Sequence, residues 1–338
     1  MTWVVWRQHR QQAIVAAAAF GAIALFLGIT GPAMSHTFHV SGLAACVAQH
    51  VDCGPLLDSF DVKYNAYQFL VPLFLILPAL VGIFWGAPLI AREFEQGTFR
   101  FAWTQSVSRR RWATTKIAAI AAGTIVLGVA AATMLTWWSA PLVLSHTDKF
   151  VPGIFDLLGI VPIAYALFAV ALGIAFGALL GRVLPAMGAT AAGFVVVRFF
   201  MTIVVRKHYL SPMRAVSSGP FGFNDAAPRG AWVLTQNTID KAGSIVSPGG
   251  GLDFQYLSSH CPGLPAPGSG APGSARAVPV LGKDLVFQCT AKLGLRTSST
   301  FQPLNRFWTF QWMEFAIYVV LAAALLGFAI WRVRSWSR

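Results

Sequence analysis

Carboxylates are scarce in this chain: twelve Asp and Glu stand among 338 residues, and all charged side chains together reach 11%, where a soluble domain carries about 25%. That shortage excludes an ordinary soluble globule, because the 56% hydrophobic content exceeds what an aqueous fold of this length buries. A bilayer accommodates it by solvating apolar side chains while helices satisfy their own backbone groups. Cysteine is limited to four positions, none inside a long apolar run. No G-x-x-x-x-G-K-[ST] phosphate loop occurs, so ATP hydrolysis is not expected of this polypeptide. Basic residues, by contrast, give a formal charge of +13. Most of that excess lies beside apolar runs and tracks membrane topology, and no nucleic-acid partner is expected.

Six stretches are long and apolar enough to cross a hydrocarbon core about 30 Å thick, which takes roughly 20 helical residues. They are 13–34, 69–90, 117–144, 157–180, 184–205 and 313–331. The short connection Gly181–Val183 makes the fourth and fifth an antiparallel hairpin or a single re-entrant element. The first could instead be a cleaved signal peptide ending near Ala33 and Ser35, although its apolar run is longer than such peptides use. Twelve Lys and Arg flank one set of short loops and two, Lys63 and Lys149, the other, which places both termini in the cytoplasm. Trp3, Trp6, Trp137, Trp138, Trp308, Trp312, Trp331 and Trp336 fall near the expected span ends, where amphipathic rings favour the headgroup level. The expectation is an all-α integral membrane fold: an interfacial helix and five spans in 1–205, a long irregular external segment over 206–312, and a sixth span with its tail in 313–338.

Cys46, Cys53, Cys261 and Cys289 all lie in segments that this topology puts outside. Thiols confined to the oxidising side suggest disulfides, with Cys46 paired to Cys53 and Cys261 to Cys289 among three connectivities. A metal site is the alternative in the first loop, where His36, His39 and His50 accompany Cys46 and Cys53, but their spacing matches no compact ligand motif. Residues 261–274 form a Pro/Gly/Ser tract too poor in apolar groups to pack, and are expected to be mobile.

Inside the membrane Arg198 is the one full charge deep in a span. It either snorkels outward, pairs with Glu314 at the end of span six, or lines a translocation path. Gly173, Gly177 and Gly181 recur every four residues, giving one helix face on which a neighbour can approach closely. Pro72, Pro78 and Pro88 are candidates to kink span two. The segment 91–116 gathers six of the twelve inner basic residues together with Glu93 and Glu95. Gly97 can end a helix in the left-handed conformation and Ser106 or Ser108 can cap the next, forming an elbow into span three. The plainer reading is a solvated basic loop.

The order G-x-P-L-I-x-x-E-x-E-x-G-T from Gly86, then Q-x-V-S-R-x-x-W-x-x-x-K ending at Lys116, resembles permease subunits of ABC-2 type transporters. The opening Thr2–Arg10 and the stretch Phe301–Glu314 resemble actinobacterial members. The resemblance implies a six-helix, multi-pass subunit of the bacterial plasma membrane that homodimerises in the lipid bilayer. It also implies coupling to two copies of a cytoplasmic ATP-binding subunit. The chain itself would bind no cofactor, ATP and Mg being held by that partner. Carried over by motif position, Arg92, Glu93, Glu95, Gly97 and Thr98 lead into the coupling helix, Ser108, Arg109 and Lys116 lead into span three, and residues 3–12 form the interfacial connecting helix. Export of a drug, peptide or lipid-like substrate by alternating access is the implied function. Two other readings stand beside it. One is a sensory subunit signalling to a cytoplasmic ATPase, suggested by an external segment longer than compact members have; that segment could equally be an inert insertion. The other is a lipid-modifying membrane enzyme drawing on Asp58, Asp61, His36 and His39.

Overall fold

In a computed structural model of the chain, the residues described are 2–49, 53–97, 109–146, 149–217, 226–228, 230–251, 254–261 and 280–335. They fall into two compact units, Met1–Tyr209 with Phe307–Arg338, and Leu210–Arg306.

The first unit carries six helices of spanning length and hydropathy: Ala17–Val40, Val71–Glu95, Arg111–Leu144, Val161–Leu180, Val183–His208 and Leu304–Ser335. They are called spans one to six below. An even number of crossings leaves both termini on one side, here the terminal side. Span one belongs to an unbroken helix, Thr2–Val40, so the stretch expected as a separate interfacial helix continues straight into the membrane. No proline precedes Pro32 to stop it.

Span four is the hub: 67% of its apolar window is buried, against 17–39% in the others. Its Gly- and Ala-rich sequence keeps the helix thin, so that neighbouring backbones come close. Span two meets it through a modified helix. Val71–Val81 is α-helical, Gly82–Gly86 forms a π-turn, and Ala87–Glu95 is α-helical again. Pro72 occupies the first turn of the helix, where a missing N–H costs little, while Pro78 lies inside it and Pro88 follows closely on the π-turn. Pro88 cannot donate to the carbonyl four residues back, and the ladder shifts just before it, with the Ala87 N–H bonding to the Gly82 carbonyl in the i→i−5 pattern of a π-turn.

Two apolar cores brace the bundle. Leu89, Ile90, Phe94, Trp112, Ile117, Val170, Ile174 and Val333 pack together on the terminal side. On the opposite side Leu27, Met34, Phe38, Phe60, Tyr64, Phe74 and Trp138 form the second core. There Trp138 Nε1 donates to Thr30 Oγ1 at 2.9 Å, tying span three to span one. The first loop folds as two short helices, Leu43–Gln49 and Gly54–Gln68, joined by the Cys46–Cys53 disulfide.

The second unit departs from the irregular segment expected. It holds a four-stranded antiparallel sheet of order β1-β4-β2-β3, with β1 Met213–Val216, β2 Trp232–Ile239, β3 Ile245–Pro248 and β4 Arg296–Gln302. Helices Phe254–His260 and Val280–Leu293 accompany it. Cys261–Cys289 links them beside a small core of Leu257, Leu295 and Val286. The unit is also shorter than the sequence suggested: Arg206–His208 complete the helix of span five, and Phe307–Trp312 already belong to that of span six. Residues 262–274 of the Pro/Gly/Ser tract lie outside the described residues.

The loops closed by the two disulfides span 7 and 28 residues, for which chain entropy predicts stabilisation of about 2 and about 4 kcal/mol. Cys289→Ser is therefore expected to lower stability more than Cys53→Ser. Non-reducing peptide mapping should recover these two pairs and no crossed one, and denaturant titration should rank the variants.

Candidate functional site

Among the described residues, charge is buried most densely on the side of the bundle opposite the termini. Arg206 is 1% exposed and Glu314 fully buried. Arg206 grips Glu314 with both edges, Nε to Oε2 at 2.8 Å and Nη2 to Oε1 at 2.7 Å, the fork geometry that makes arginine–carboxylate pairs strong. Its Nη2 also donates to Asp156. Arg198 completes a neutral tetrad: Nη2 lies 2.7 Å from Asp156 Oδ2 and Nη1 lies 3.6 Å from Glu314 Oε1. The Arg198 guanidinium stacks 3.6 Å from the Tyr165 ring centre. The Tyr165 hydroxyl sits 2.6 Å from Glu314 and 3.0 Å from Asp156, so its single proton serves one carboxylate at a time.

Local structure explains how both arginines reach the cluster. In a plain α-helix, at about 100° per residue, a residue eight positions after Arg198 would be rotated roughly a quarter turn away. The π-turn Met201–Val205 absorbs about one residue, and Arg206 returns to the face of Arg198. Gln311, fully buried on span six, adds a neutral brace. Its Oε1 accepts the Ile160 and Val161 N–H groups at 3.2 Å, which the start of a helix leaves without partners. Its Nε2 donates to the Phe155 carbonyl. The segment Ile154–Leu157 and spans four, five and six are thereby clasped together.

Asp156 lies outside the spans. Burial works to raise its carboxyl, but Arg198 and Arg206 prevail and hold it below the ordinary carboxylate range. A lowered folded-state value means that its stabilisation is complete above that range and fades as pH falls through the depressed value.

On the terminal side the elbow residues make specific attachments. Glu93 pairs with Lys116 of span three, and Lys116, 5% exposed, also sits 4.9 Å over the Trp112 ring. Glu95 Oε2 accepts the Val183 N–H at 3.0 Å, capping the start of span five. Gly97 has φ 68° and its N–H bonds to the Phe94 carbonyl, ending span two as a left-handed glycine does. Arg92 is exposed. Arg109 opens the helix of span three; its side chain, Thr98 and Ser108 lie outside the described residues.

Of the glycine triplet, Gly173 and Gly177 face the Gly82–Ala87 backbone of span two. Gly181 lies one residue past the end of the span four helix. It ends span four in the left-handed conformation at φ 63°, because the chain must reverse at once into span five. In the first loop the disulfide takes both sulfurs, which leaves the histidines there without the thiolates that the metal reading required.

Sequence reasoning named Arg198 and Glu314 but missed Asp156, Tyr165, Arg206 and Gln311. A signal existed for Arg206, a second arginine in the same helical run, but its face could be assigned only with the π-turn known.

Six apolar helices with a charge network sealed among three of them define a polytopic helical membrane protein. Residues 17–206 match the family described as ABC-2 membrane transporter related, and the chain belongs to that family. Its members are membrane components of ABC transporters, which work with an ABC ATP-binding subunit and are not themselves the catalytic part. No curated protein and no solved structure gave a significant match.

Proposed function

We propose that this chain is the export permease of an ATP-driven ABC-2 type transporter in a bacterial plasma membrane. It works as a homodimer with two copies of a cytoplasmic ATP-binding subunit, its own termini cytoplasmic, and moves a drug, peptide or lipid-like substrate by alternating access. The observation that carries this reading is the fastening of the elbow. Span two ends in a segment tied by Glu93 to span three, by Glu95 to the start of span five, and through Leu89, Ile90 and Phe94 to a core shared with spans three, four and six. A load applied near Arg92–Gly97 is therefore delivered to four further helices. The clasp on the opposite side holds spans four, five and six, so it is suited to act as a gate that opens when the elbow moves. A partner shifts such an equilibrium only through a difference in affinity between states, so in this reading the exposed elbow groups touch the ATP-binding subunit differently when ATP is bound.

This geometry redistributes the roles expected of the carboxylates. In this reading Glu93 and Glu95 fasten the elbow to spans three and five, and Arg92, exposed like Glu95, meets the motor subunit. In a complex co-purified with its ATP-binding partner, Arg92→Glu is expected to lower substrate-stimulated ATP hydrolysis roughly tenfold, equivalent to about 1.4 kcal/mol, without loss of the bundle. Unchanged hydrolysis in an intact complex would overturn the coupling assignment.

The folded unit inserted before span six supports a second reading, a sensory subunit that reports an external ligand to the ATPase. ATP-dependent accumulation of substrate in inverted vesicles separates the two.

A further inference from the structure

The inserted unit has one sheet face whose chemistry grades from cationic to aliphatic. Register places Arg214 of β1 beside Thr300 of β4, and Thr300 beside Thr235 of β2; one step along, Ser298 pairs with Asn237, and a further step brings Ile239 beside Ile245 of β3. These side chains line a concavity of about 200 Å³. Arg214 reaches across β4, where its Nε donates to Ser298 Oγ at 3.1 Å. That bond fixes the plane of the guanidinium and leaves its two Nη groups as a fork, the arrangement that receives a carboxylate through two parallel hydrogen bonds. Among the described residues no carboxylate lines the concavity. The nearest in sequence, Asp240, is committed to its own turn through the Ala242 and Ser244 N–H groups at 2.9 and 2.8 Å.

The opposite end is aliphatic. Ile239 is buried, whereas Ile245 is 63% exposed, an unusual place for an aliphatic side chain at the rim of a polar hollow. From strand and residue spacings, Ser298 and the two isoleucines stand about 8–12 Å apart along the sheet. Asn237, paired with Ser298, occupies the interval, while Thr235 and Thr300 lie beyond Ser298 with their hydroxyls hydrogen-bonded to each other. A single guanidinium suits a monoanion better than a phosphate dianion. The volume, below the 300–1,000 Å³ of drug-sized pockets, suits a group of amino-acid size.

We infer that this face is a binding site for a small aliphatic carboxylate with a polar group between acid and hydrocarbon, the chemistry of an N-acylated aliphatic amino acid. Arg214 receives the carboxylate, Asn237 meets the amide, and Ile239 with Ile245 take the aliphatic group. The site is independent of the transport reading, because its test measures binding alone.

The experiment is equilibrium dialysis of the full chain in lipid nanodiscs against radiolabelled N-acetyl-leucine, with N-acetyl-leucinamide as competitor. Saturable binding of one molecule per chain is expected, and the amide should fail to compete. Arg214→Gln should weaken binding roughly tenfold or more. Ile245→Asp, at an exposed position, should weaken it similarly by placing an anion at the aliphatic end. Lys292→Gln removes an exposed cation from the helix Val280–Leu293, away from the concavity, and should leave binding unchanged. Resistance of the unit to limited proteolysis, equal to that of wild type, reports that it remains folded; should Arg214→Gln lose it, Ile245→Asp decides. Uptake no greater than that of empty nanodiscs, equal competition by the amide, or wild-type affinity in Ile245→Asp or in folded Arg214→Gln would each overturn the assignment.

Discussion

Glu314→Gln is expected to destabilise the membrane bundle by about 3–5 kcal/mol, the usual consequence of removing one partner from a buried ion pair. The cause is the charge left behind more than the bond lost. With Glu314 neutral, Arg206 keeps Asp156 and one amide acceptor but loses the second contact of its fork and the negative charge behind it, and Arg198 shares the same remaining carboxylate. Two guanidinium groups then compete for one anion among Phe155, Tyr165 and Tyr318. Arg206→Leu should be comparably damaging for the opposite reason, since two carboxylates would depend on Arg198 and one tyrosine proton. Combining Glu314→Leu with Arg206→Leu restores neutrality and should recover much of the loss, because an apolar replacement of a whole pair is often near neutral. Unfolding of purified Glu314→Leu, Arg206→Leu and their combination in a denaturant series, arranged as a double-mutant cycle, measures the coupling. Additive losses would show that the tetrad is not one unit, and single variants within about 0.5 kcal/mol of wild type would remove the clasp from the mechanism.

The same tetrad shows where sequence reading reaches its end. The six spans were legible because a run of about 20 apolar residues has few uses outside a bilayer, and the observed helices overlap every expected one. The cysteine pairs were legible because topology and proximity in the chain left few sensible partners. Arg206 was assigned to the external segment because hydropathy falls there, and no pattern in the sequence announces that a π-turn will carry it back to the cluster. Asp156 stands just ahead of the apolar stretch 157–180, and nothing in the sequence around it singles it out. The attachments of Glu93 and Glu95 join residues 23 and 88 positions apart, contacts that only the packed bundle defines. The sheet was missed for a different reason: β4 is built on Arg296-Thr-Ser-Ser-Thr-Phe-Gln, where hydroxyl side chains replace the alternating apolar residues by which strands are recognised.

The second large effect is expected where spans two and four touch backbone to backbone. A Cβ added at Gly173 would lie 2.6 Å from the Ala87 nitrogen, one at Gly177 2.6 Å from the Ala87 oxygen, and one at Gly86 2.7 Å from the Val170 oxygen. Backbone cannot rotate aside as a flexible side chain can, so Gly173→Ala must force the helices apart, at a cost of about 1–3 kcal/mol for an overpacked core. Gly173→Leu should prevent the bundle from forming. Gly188→Ala provides the control, because its added Cβ meets nothing within 4 Å and helix propensity favours Ala over Gly by about 1 kcal/mol. The two alanine substitutions are chemically identical and are expected to move the unfolding midpoint in opposite directions. If Gly173→Ala proved as stable as Gly188→Ala, the seam would not be the close contact described, and spans two and four would be free to separate during the transport cycle. If the signs are opposite, the two helices move as one body, and displacement of the elbow at the end of span two must carry span four, and the clasp built on it, along with it.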